Sequence, residues 1–218
     1  MLRLHNIDVQ GKKDLIIHIK GGNNITWLGE VGGNWDILFN IACSSPHEFN
    51  SFFEMFIKEH GKHILDYEIL TYVSVYDYSR DYIYTKNQSF FFHGMKHDRN
   101  LVLDDLDKKI IANISKDSNK TNVELGQLLG VSRNTIKNRI DTMIKQKLLL
   151  GFRLGIHPTK LGYTSHMLLL STNKLDINRE KQLFSYVLEH PNITYAVKQI
   201  GKWRIGLEIE TSDELEFQ

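Results

Sequence analysis

The first hundred residues alternate between strand-like and helix-like patterns of apolar positions. The strand-like segments are residues 2–7, 25–31, 35–43 and 64–75. Helical spacing predicts two helices, over residues 12–20 and from Pro46 to about His60. The order β-α-β-β-α-β is typical of a ferredoxin-like unit with both helices on one face of an antiparallel sheet. Residues 76–99, which are rich in tyrosine and phenylalanine, predict a further hairpin with its turn at residues 86–88.

The chain repeats itself at an offset of 168 residues. Asn24-Ile25-Thr26 recurs as Asn192-Ile193-Thr194, and Gly33-Asn34-Trp35 recurs as Gly201-Lys202-Trp203. A period of this length indicates duplicated domains and not a solenoid of short units. The second copy stops about halfway through the module, and the first begins inside its first strand. We therefore expect the chain to be a fragment of a longer protein.

The segment between the two copies has the pattern of three short helices. Residues 103–114 keep helical spacing, a second helix is predicted over residues 122–129, and a third over residues 133–147. Gly130 ends the second helix, and Ser132 supplies an N-cap oxygen for the third. This spacing predicts a helix-turn-helix whose third helix enters the major groove of DNA. Residues 148–156 continue as a predicted strand pair, a small wing.

Composition narrows the class of protein. The 218 residues are 41% hydrophobic and 24% charged, which is ordinary for a globular protein. A single cysteine, Cys43, excludes an intrachain disulfide and a multi-cysteine zinc site and favours a reducing compartment. No apolar run approaches the roughly 20 residues that cross a bilayer, and the N-terminus is too polar for a secretory signal. We expect a soluble, cytoplasmic protein without a membrane partner.

Charge is distributed unevenly along the chain. Residues 101–160 contain 11 Lys and Arg against 6 Asp and Glu, whereas each flanking region carries a small negative net charge. A basic centre between acidic flanks indicates that only the middle meets a polyanion, although chance clustering on a solvated face is the alternative. The helix-turn-helix pattern within this basic centre favours double-stranded DNA as the partner.

Candidate DNA contacts follow from the faces of the predicted third helix. The side chains expected to face inward are those of Ile136, Ile140, Met143 and Ile144. The candidates for base edges, on the N-terminal half of the outer face, are Arg133, Asn134, Lys137 and Asn138. The candidates for phosphate oxygens are Thr121, Asn122, Ser132, Thr135 and Lys145. Arg139 either binds phosphate or braces the domain by pairing with a carboxylate.

Several short segments of the central region together form a recognisable motif. The segments are Leu103-Asp104-Asp105-Leu106-Asp107-Lys108-Lys109-Ile110, Glu124-Leu125-Gly126, Leu129-Gly130-Val131-Ser132, Thr135-Ile136, Arg139-Ile140, Gly151-Phe152 and Leu161-Gly162-Tyr163. They resemble the Lrp/AsnC family of prokaryotic transcription regulators, and the flanking copies resemble that family's ferredoxin-like RAM domain. The resemblance implies an α+β protein: a RAM-like domain over residues 1–99, a winged helix-turn-helix over 100–157, and a partial second RAM-like domain over 158–218.

The resemblance implies a sequence-specific regulator that forms homo-oligomers through its RAM domains and responds to a small-molecule effector, commonly an amino acid. No cofactor or metal is expected. We place the effector near Gly33, Trp35 and Asp36, where the turn resembles the family's glycine-aspartate turn; a place in the core is the alternative for Trp35. Arg204 replaces that aspartate in the second copy. Lys147 stands where the family usually has a helix-ending glycine, which predicts a slightly longer third helix.

Two other functions compete with DNA binding. The same fold resembles siroheme decarboxylases, but the ten histidines are scattered, and His93 and His97, at metal-like spacing, lack a nearby third ligand. Glu208 and Glu210 are expected to face solvent on an edge-like strand. The chain is therefore predicted not to be an enzyme. A metabolite sensor that does not bind DNA is the third possibility, and the cations on the third helix argue against it.

Overall fold

The chain folds into two compact units, Met1–Thr71 and Tyr72–Gln218. The computed structural model describes residues 1–80, 82–83, 90–94, 102–152, 155–171 and 176–217, with the backbone alone for residues 90–94 and Glu214. No helix in these ranges is both long enough and apolar enough to cross a membrane.

The first unit is a single ferredoxin-like module. Its elements are β1 (Leu2–Leu4), α1 (Val9–Gly21), β2 (Ile25–Glu30), β3 (Ile37–Ile41), α2 (Pro46–His60) and β4 (Ile64–Tyr67), with a short 3-10 turn at Gly61–His63. The antiparallel sheet has the order β2-β3-β1-β4, which confirms the predicted β-α-β-β-α-β unit. Leu15 and Ile19 of α1 pack with Leu2, Ile37 and Phe56 to form the core.

The strand predicted over residues 64–75 is two strands in two different sheets. β4 ends at Tyr67, which pairs with Leu2, and the next residue, Glu68, pairs only with the backbone of Met1. The chain leaves the first sheet there. It resumes as β5 (Thr71–Tyr78), which pairs antiparallel with β6 (Phe90–Gly94).

This hairpin changes where the chain divides. The prediction placed residues 71–99 with the first module, whereas the compact units separate between Thr71 and Tyr72 because β5 pairs within the second unit. The hairpin itself was predicted, and its predicted turn at residues 86–88 lies outside the described residues. The domain limits at residues 99 and 157 stay predictions.

The central region forms the three predicted helices, α3 (Asp105–Lys116), α4 (Asn122–Leu129) and α5 (Arg133–Lys145). Their shared core consists of Ile110, Ile114, Leu125, Ile136 and Met143, all less than one tenth exposed. Residues 146–152 and 155–163 contain no strand, which corrects the predicted strand pair of the wing as far as the chain is described there. Leu148 and Leu149 instead fold back, donate their amides to the carbonyl of Met143, and pack against the helical core.

The second copy of the module follows a 3-10 turn at Pro158–Leu161. Its elements are β7 (Thr164–Leu170), α6 (Ile177–Glu189), β8 (Ile193–Ile200), β9 (Ile205–Thr211) and α7 (Glu214–Phe217). They form a five-stranded sheet with the hairpin, in the order β6-β5-β8-β9-β7. The bounds of α6 are those of α1 shifted by the repeat offset, which confirms the duplication.

The prediction that Glu210 faces solvent on an edge-like strand is wrong, whereas Glu208 is half-buried. β9 lies between β8 and β7, so it is not an edge strand. The Glu210 side chain is completely buried, and both of its oxygens accept hydrogen bonds from the Arg80 guanidinium at 2.8 Å. Tyr82 donates its hydroxyl to the same carboxylate. The prediction failed because the partner of this carboxylate lies 130 positions away in the sequence, where a local pattern cannot show it.

Candidate nucleic-acid interface

The turn between α4 and α5 is set by two glycines. Gly130 adopts the left-handed conformation, with φ of 71°, which ends α4 and turns the chain toward α5. A Cβ at Gly126 would lie 2.7 Å from the carbonyl oxygen of Val131. The Val131 amide donates to the Gly126 carbonyl at 2.9 Å, so the backbones touch here. Any side chain at Gly126 would push the turn away from α4.

Side-chain caps fix where both helices of the motif begin. Thr121 Oγ1 accepts the amide of Glu124, while the Glu124 carboxylate accepts the amide and the hydroxyl of Thr121 at 2.7 and 2.8 Å. These hydrogen bonds lower the pKa of Glu124. Ser132 Oγ accepts the Thr135 amide at 3.0 Å and lies 2.9 Å from the Thr135 hydroxyl. The Thr121 hydroxyl hydrogen, predicted to reach phosphate, is therefore already used within the cap.

The predicted base-reading side chains lie together on one face of α5. Arg133, Asn134, Lys137 and Asn138 are all exposed, whereas Ile136 and Met143 on the opposite face are at most 2% exposed. Lys137 pairs with Asp141 at 3.1 Å. An exposed pair of this kind is weak and can be exchanged for a contact with DNA.

The inward face of α5 differs from the prediction at one position. Ile140 is half-buried as expected, but Ile144 is 47% exposed. It lies in the last turn of α5, outside the cluster around Met143, so the prediction that it faces the core is wrong. Lys145, a predicted phosphate contact, is exposed at the last residue of the same turn, and Asn122 is half-buried at the start of α4.

Arg139 pairs with the start of α3. Its guanidinium lies 2.7 Å from Asp104 and 3.3 Å from the buried Asp107. Asp104 is the N-cap of α3, and its pKa is lowered, first by the hydrogen bond from the Asp107 amide and then by Arg139. The geometry favours the bracing alternative for Arg139 over phosphate binding. The pairing of Asp104 and Asp107 with a residue on α5 was one of the two alternatives for Arg139, but its partners were not predicted.

The end of α5 is tighter than predicted. Lys147 has φ of 55°, and the helix ends at Lys145 instead of running long. The Lys147 amide donates to Ile144 and the Leu148 amide to Met143, both at 2.9 Å, a Schellman motif in which lysine takes the place normally held by glycine.

The predicted effector residues form the turn between β2 and β3. Gly33 is exposed with φ of 94°, and Trp35 is half-buried. Asp36 accepts the amide of Leu4 at 2.7 Å, so its carboxylate joins β1 to the start of β3. His97 and the side chain of His93 lie outside the described residues.

Comparison with known proteins identifies the central motif. Residues 103–144 match the AsnC-type helix-turn-helix domain. The HTH-type transcriptional regulator FL11 of Pyrococcus furiosus is 26% identical over 116 residues, which cover 53% of this chain and 76% of that protein. The proline dehydrogenase transcriptional activator of Rhizobium radiobacter is 32% identical over 114 residues, which cover 51% of this chain and 72% of the relative.

Solved structures are similar to about half of this chain. The structure of Escherichia coli AsnC is similar over 52% of this chain and 75% of that chain, with 19% identity and a TM-score of 0.44. The assignment itself depends on the sequence relatives and on the motif of α3–α5. The chain belongs to the Lrp/AsnC family of DNA-binding transcriptional regulators.

Proposed function

We propose that α5 lies in the major groove of duplex DNA and reads sequence through Arg133, Asn134, Lys137 and Asn138. The observation that carries this proposal is the division of the helix into two faces. The four polar side chains are exposed on its N-terminal half, while Ile136 and Met143 hold the opposite face in the helical core. Arginine and lysine pair with guanine, and asparagine pairs with adenine, in the major groove.

The remaining polar residues position the domain on the phosphate backbone. Ser132, Thr135 and Lys145 are suited to phosphate oxygens, as are Thr121 and Asn122 at the start of α4. Arg139 contributes indirectly, because its pairs with Asp104 and Asp107 hold α5 against α3. Two such domains in a homo-oligomer, about one DNA turn or roughly 34 Å apart, would read a pseudo-palindrome.

A small molecule, in our proposal an amino acid, regulates this binding through the RAM-like copies. Two features support the proposal: the duplicated module, and the relative named as an activator of proline dehydrogenase transcription. Because the Asp36 carboxylate already accepts a backbone amide, the exposed turn at Gly33 and the half-buried ring of Trp35 are the groups that would contact the effector.

Selection of bound duplexes from a random pool, with and without amino acids, identifies the operator. On that operator Arg133→Ala and Lys137→Ala should each weaken binding by about 1–3 kcal/mol and relax the preference at one base pair. Lys145→Ala should weaken binding to all DNA sequences alike. It should also lower the steepness of log affinity against log salt concentration by about one. Lys109→Ala, which removes an exposed cation from α3, serves as the control.

Two results would contradict the proposed contacts. One is operator binding that survives loss of both Arg133 and Lys137 at the wild-type level. The other is an affinity that does not fall as salt rises, because a protein that neutralises phosphates must release counterions. Selection patterns that do not change with any amino acid would separately overturn the proposed class of effector.

A further inference from the structure

A group of three metal-ligating side chains lies in the first unit, where the sequence predicted none. His18 is in the last turn of α1, and Glu59 and His60 end α2. Their ligand atoms all lie within 4.8 Å of one another. Glu59 Oε2 is 3.5 Å from His18 Nε2 and 3.7 Å from His60 Nε2. The two imidazole rings meet edge to face, with centroids 4.6 Å apart.

These separations are close to those within a zinc coordination sphere. Zinc binds imidazole nitrogen at about 2.0–2.1 Å and carboxylate oxygen at about 2.0–2.2 Å, so tetrahedral geometry places two ligand atoms roughly 3.3–3.5 Å apart. The observed distances from Glu59 to the two histidines differ from this range by a few tenths of an ångström. The ligand atoms of the two histidines lie within 4.8 Å of each other, so rotation of their side chains would complete the geometry.

His60 is available as a ligand. Its Nε2 is buried and has no hydrogen-bond partner among the described residues. A neutral imidazole offers the lone pair that a metal requires. His18 and Glu59 are each half exposed, which leaves a path for a metal ion and for water.

The second copy has no histidine at the position equivalent to His18. The position equivalent to His18 in the second copy is Tyr186, on the corresponding helix α6, and that ring is 60% exposed. The second copy forms the same strands and helices as far as it extends. A packing role common to both copies therefore does not account for the histidine.

We propose that His18, Glu59 and His60 bind one divalent transition-metal ion of the zinc class, with water in the fourth position. Two imidazoles and one carboxylate suit Zn²⁺, Ni²⁺ or Cu²⁺, whereas Mg²⁺ and Ca²⁺ prefer all-oxygen ligands. The metal ion joins the C-terminal ends of α1 and α2, where the helix dipoles favour a positive charge.

Titration of the untagged, metal-free chain with Zn²⁺ by calorimetry tests the proposal, with Co²⁺ absorption reporting the coordination geometry. We expect one ion per chain and tetrahedral Co²⁺ bands. His18→Ala and His60→Ala should each weaken binding more than tenfold, and so should the conservative Glu59→Gln, because an amide is a poorer ligand. His47→Ala removes an exposed histidine from the same helix α2 and should leave the affinity unchanged.

The alternative is that the cluster is only a histidine–carboxylate ion pair. In that case the wild-type chain shows no saturable binding of one Zn²⁺, and the proposal is overturned. Binding that persists unchanged in His18→Ala overturns it equally, because the metal then lies elsewhere. Circular dichroism of each variant separates loss of a ligand from loss of the fold, and Glu59→Gln preserves the side-chain shape if an alanine variant unfolds.

Discussion

The two copies of the ferredoxin-like module retain the same side-chain contacts. In the first copy Asn24 donates to Glu48 at 2.9 Å, and the same carboxylate accepts the amide of Ser44 at 2.7 Å. The corresponding residues of the second copy are Asn192, Glu216 and Ser212. Both of these hydrogen bonds recur there at 3.3 Å. The duplication has therefore preserved a specific link between a strand and the helix after the hairpin, in addition to the fold.

One contact is conserved in geometry but reversed in charge. Lys12 on α1 pairs with Glu30 on β2 at 3.2 Å, and at the equivalent positions Glu180 on α6 pairs with Lys198 on β8. Arg204 adds a second cation beside Glu180 at 3.3 Å. Burial raises the pKa of Glu180, but Lys198 and Arg204 outweigh it, so the pKa is below its ordinary value. Both copies therefore have an opposite-charge pair here, with the signs exchanged between the helix and the strand.

The copies differ most at one edge of the sheet. β2 is the outermost strand of the first sheet, whereas its counterpart β8 is covered by β5. Trp27 on β2 is 46% exposed, while its counterpart Tyr195 is half-buried, and burial raises the pKa of that phenol. The same strand position is therefore exposed in the first copy and half-buried in the second, because only in the second copy does another strand pair with this edge.

The largest expected loss of stability comes from substitution of Glu210, whose equivalent in the first copy is Ala42. Glu210→Ala should lower the free energy of unfolding by about 3–5 kcal/mol, because Arg80 is then left unpaired and largely buried. Arg80→Ala should have a similar effect for the opposite charge. The double variant should lose less than the two single variants together, since no buried charge remains unpaired.

Urea unfolding of the two single variants and the double variant measures this coupling. Glu30→Ala, which breaks an exposed ion pair in the first copy, is the control and should cost at most about 1 kcal/mol. Strictly additive losses in the double variant would show that Arg80 and Glu210 do not stabilise each other.

A smaller loss of stability is expected when either of the two equivalent asparagines, Asn192 and Asn24, is replaced, and the loss should differ between them. Asn192 is 8% exposed and also donates to the Glu210 carbonyl at 2.8 Å, whereas Asn24 is half-buried and bonds to Glu48. Asn192→Ala should therefore cost about 1–3 kcal/mol, and Asn24→Ala about 0.5–1.5 kcal/mol. Urea unfolding gives both values. Equal losses would mean that the burial of Asn192 and its hydrogen bond to the Glu210 carbonyl do not strengthen this contact.

Local patterns predicted much of this fold. The repeat predicted that a second copy of the module follows the central region. Gly130 with Ser132 located the turn of the helix-turn-helix, because glycine and serine have strong local preferences at helix ends. The four base-reading candidates were grouped on one face by helical periodicity alone, and the structure leaves all four exposed.

The remaining features depend on contacts between distant parts of the chain. β4 and β5 lie in different sheets, and no local pattern records the break between them. Burial of Glu210 depends on Arg80, and the metal-ligating cluster depends on the approach of α1 to α2. Lys147 shows the converse: a local rule predicted a longer helix, but the packing of Leu148 and Leu149 against the core holds the lysine in a left-handed conformation.

The smallest expected effect tests the reversed ion pair directly. Lys12→Glu places two carboxylates where the first copy has an ion pair, and Lys12→Glu with Glu30→Lys recreates the arrangement of Glu180 and Lys198. The single variant should lose stability and the double variant should recover it, with a coupling of about 0.2–1 kcal/mol that shrinks in high salt because both side chains are partly exposed. A double-mutant cycle by urea unfolding at two salt concentrations measures this coupling. If the double variant stays as unstable as Lys12→Glu, the two copies do not share the geometry of this pair. The reversed charges would then be tolerated only in the second copy, where Arg204 supplies a second cation.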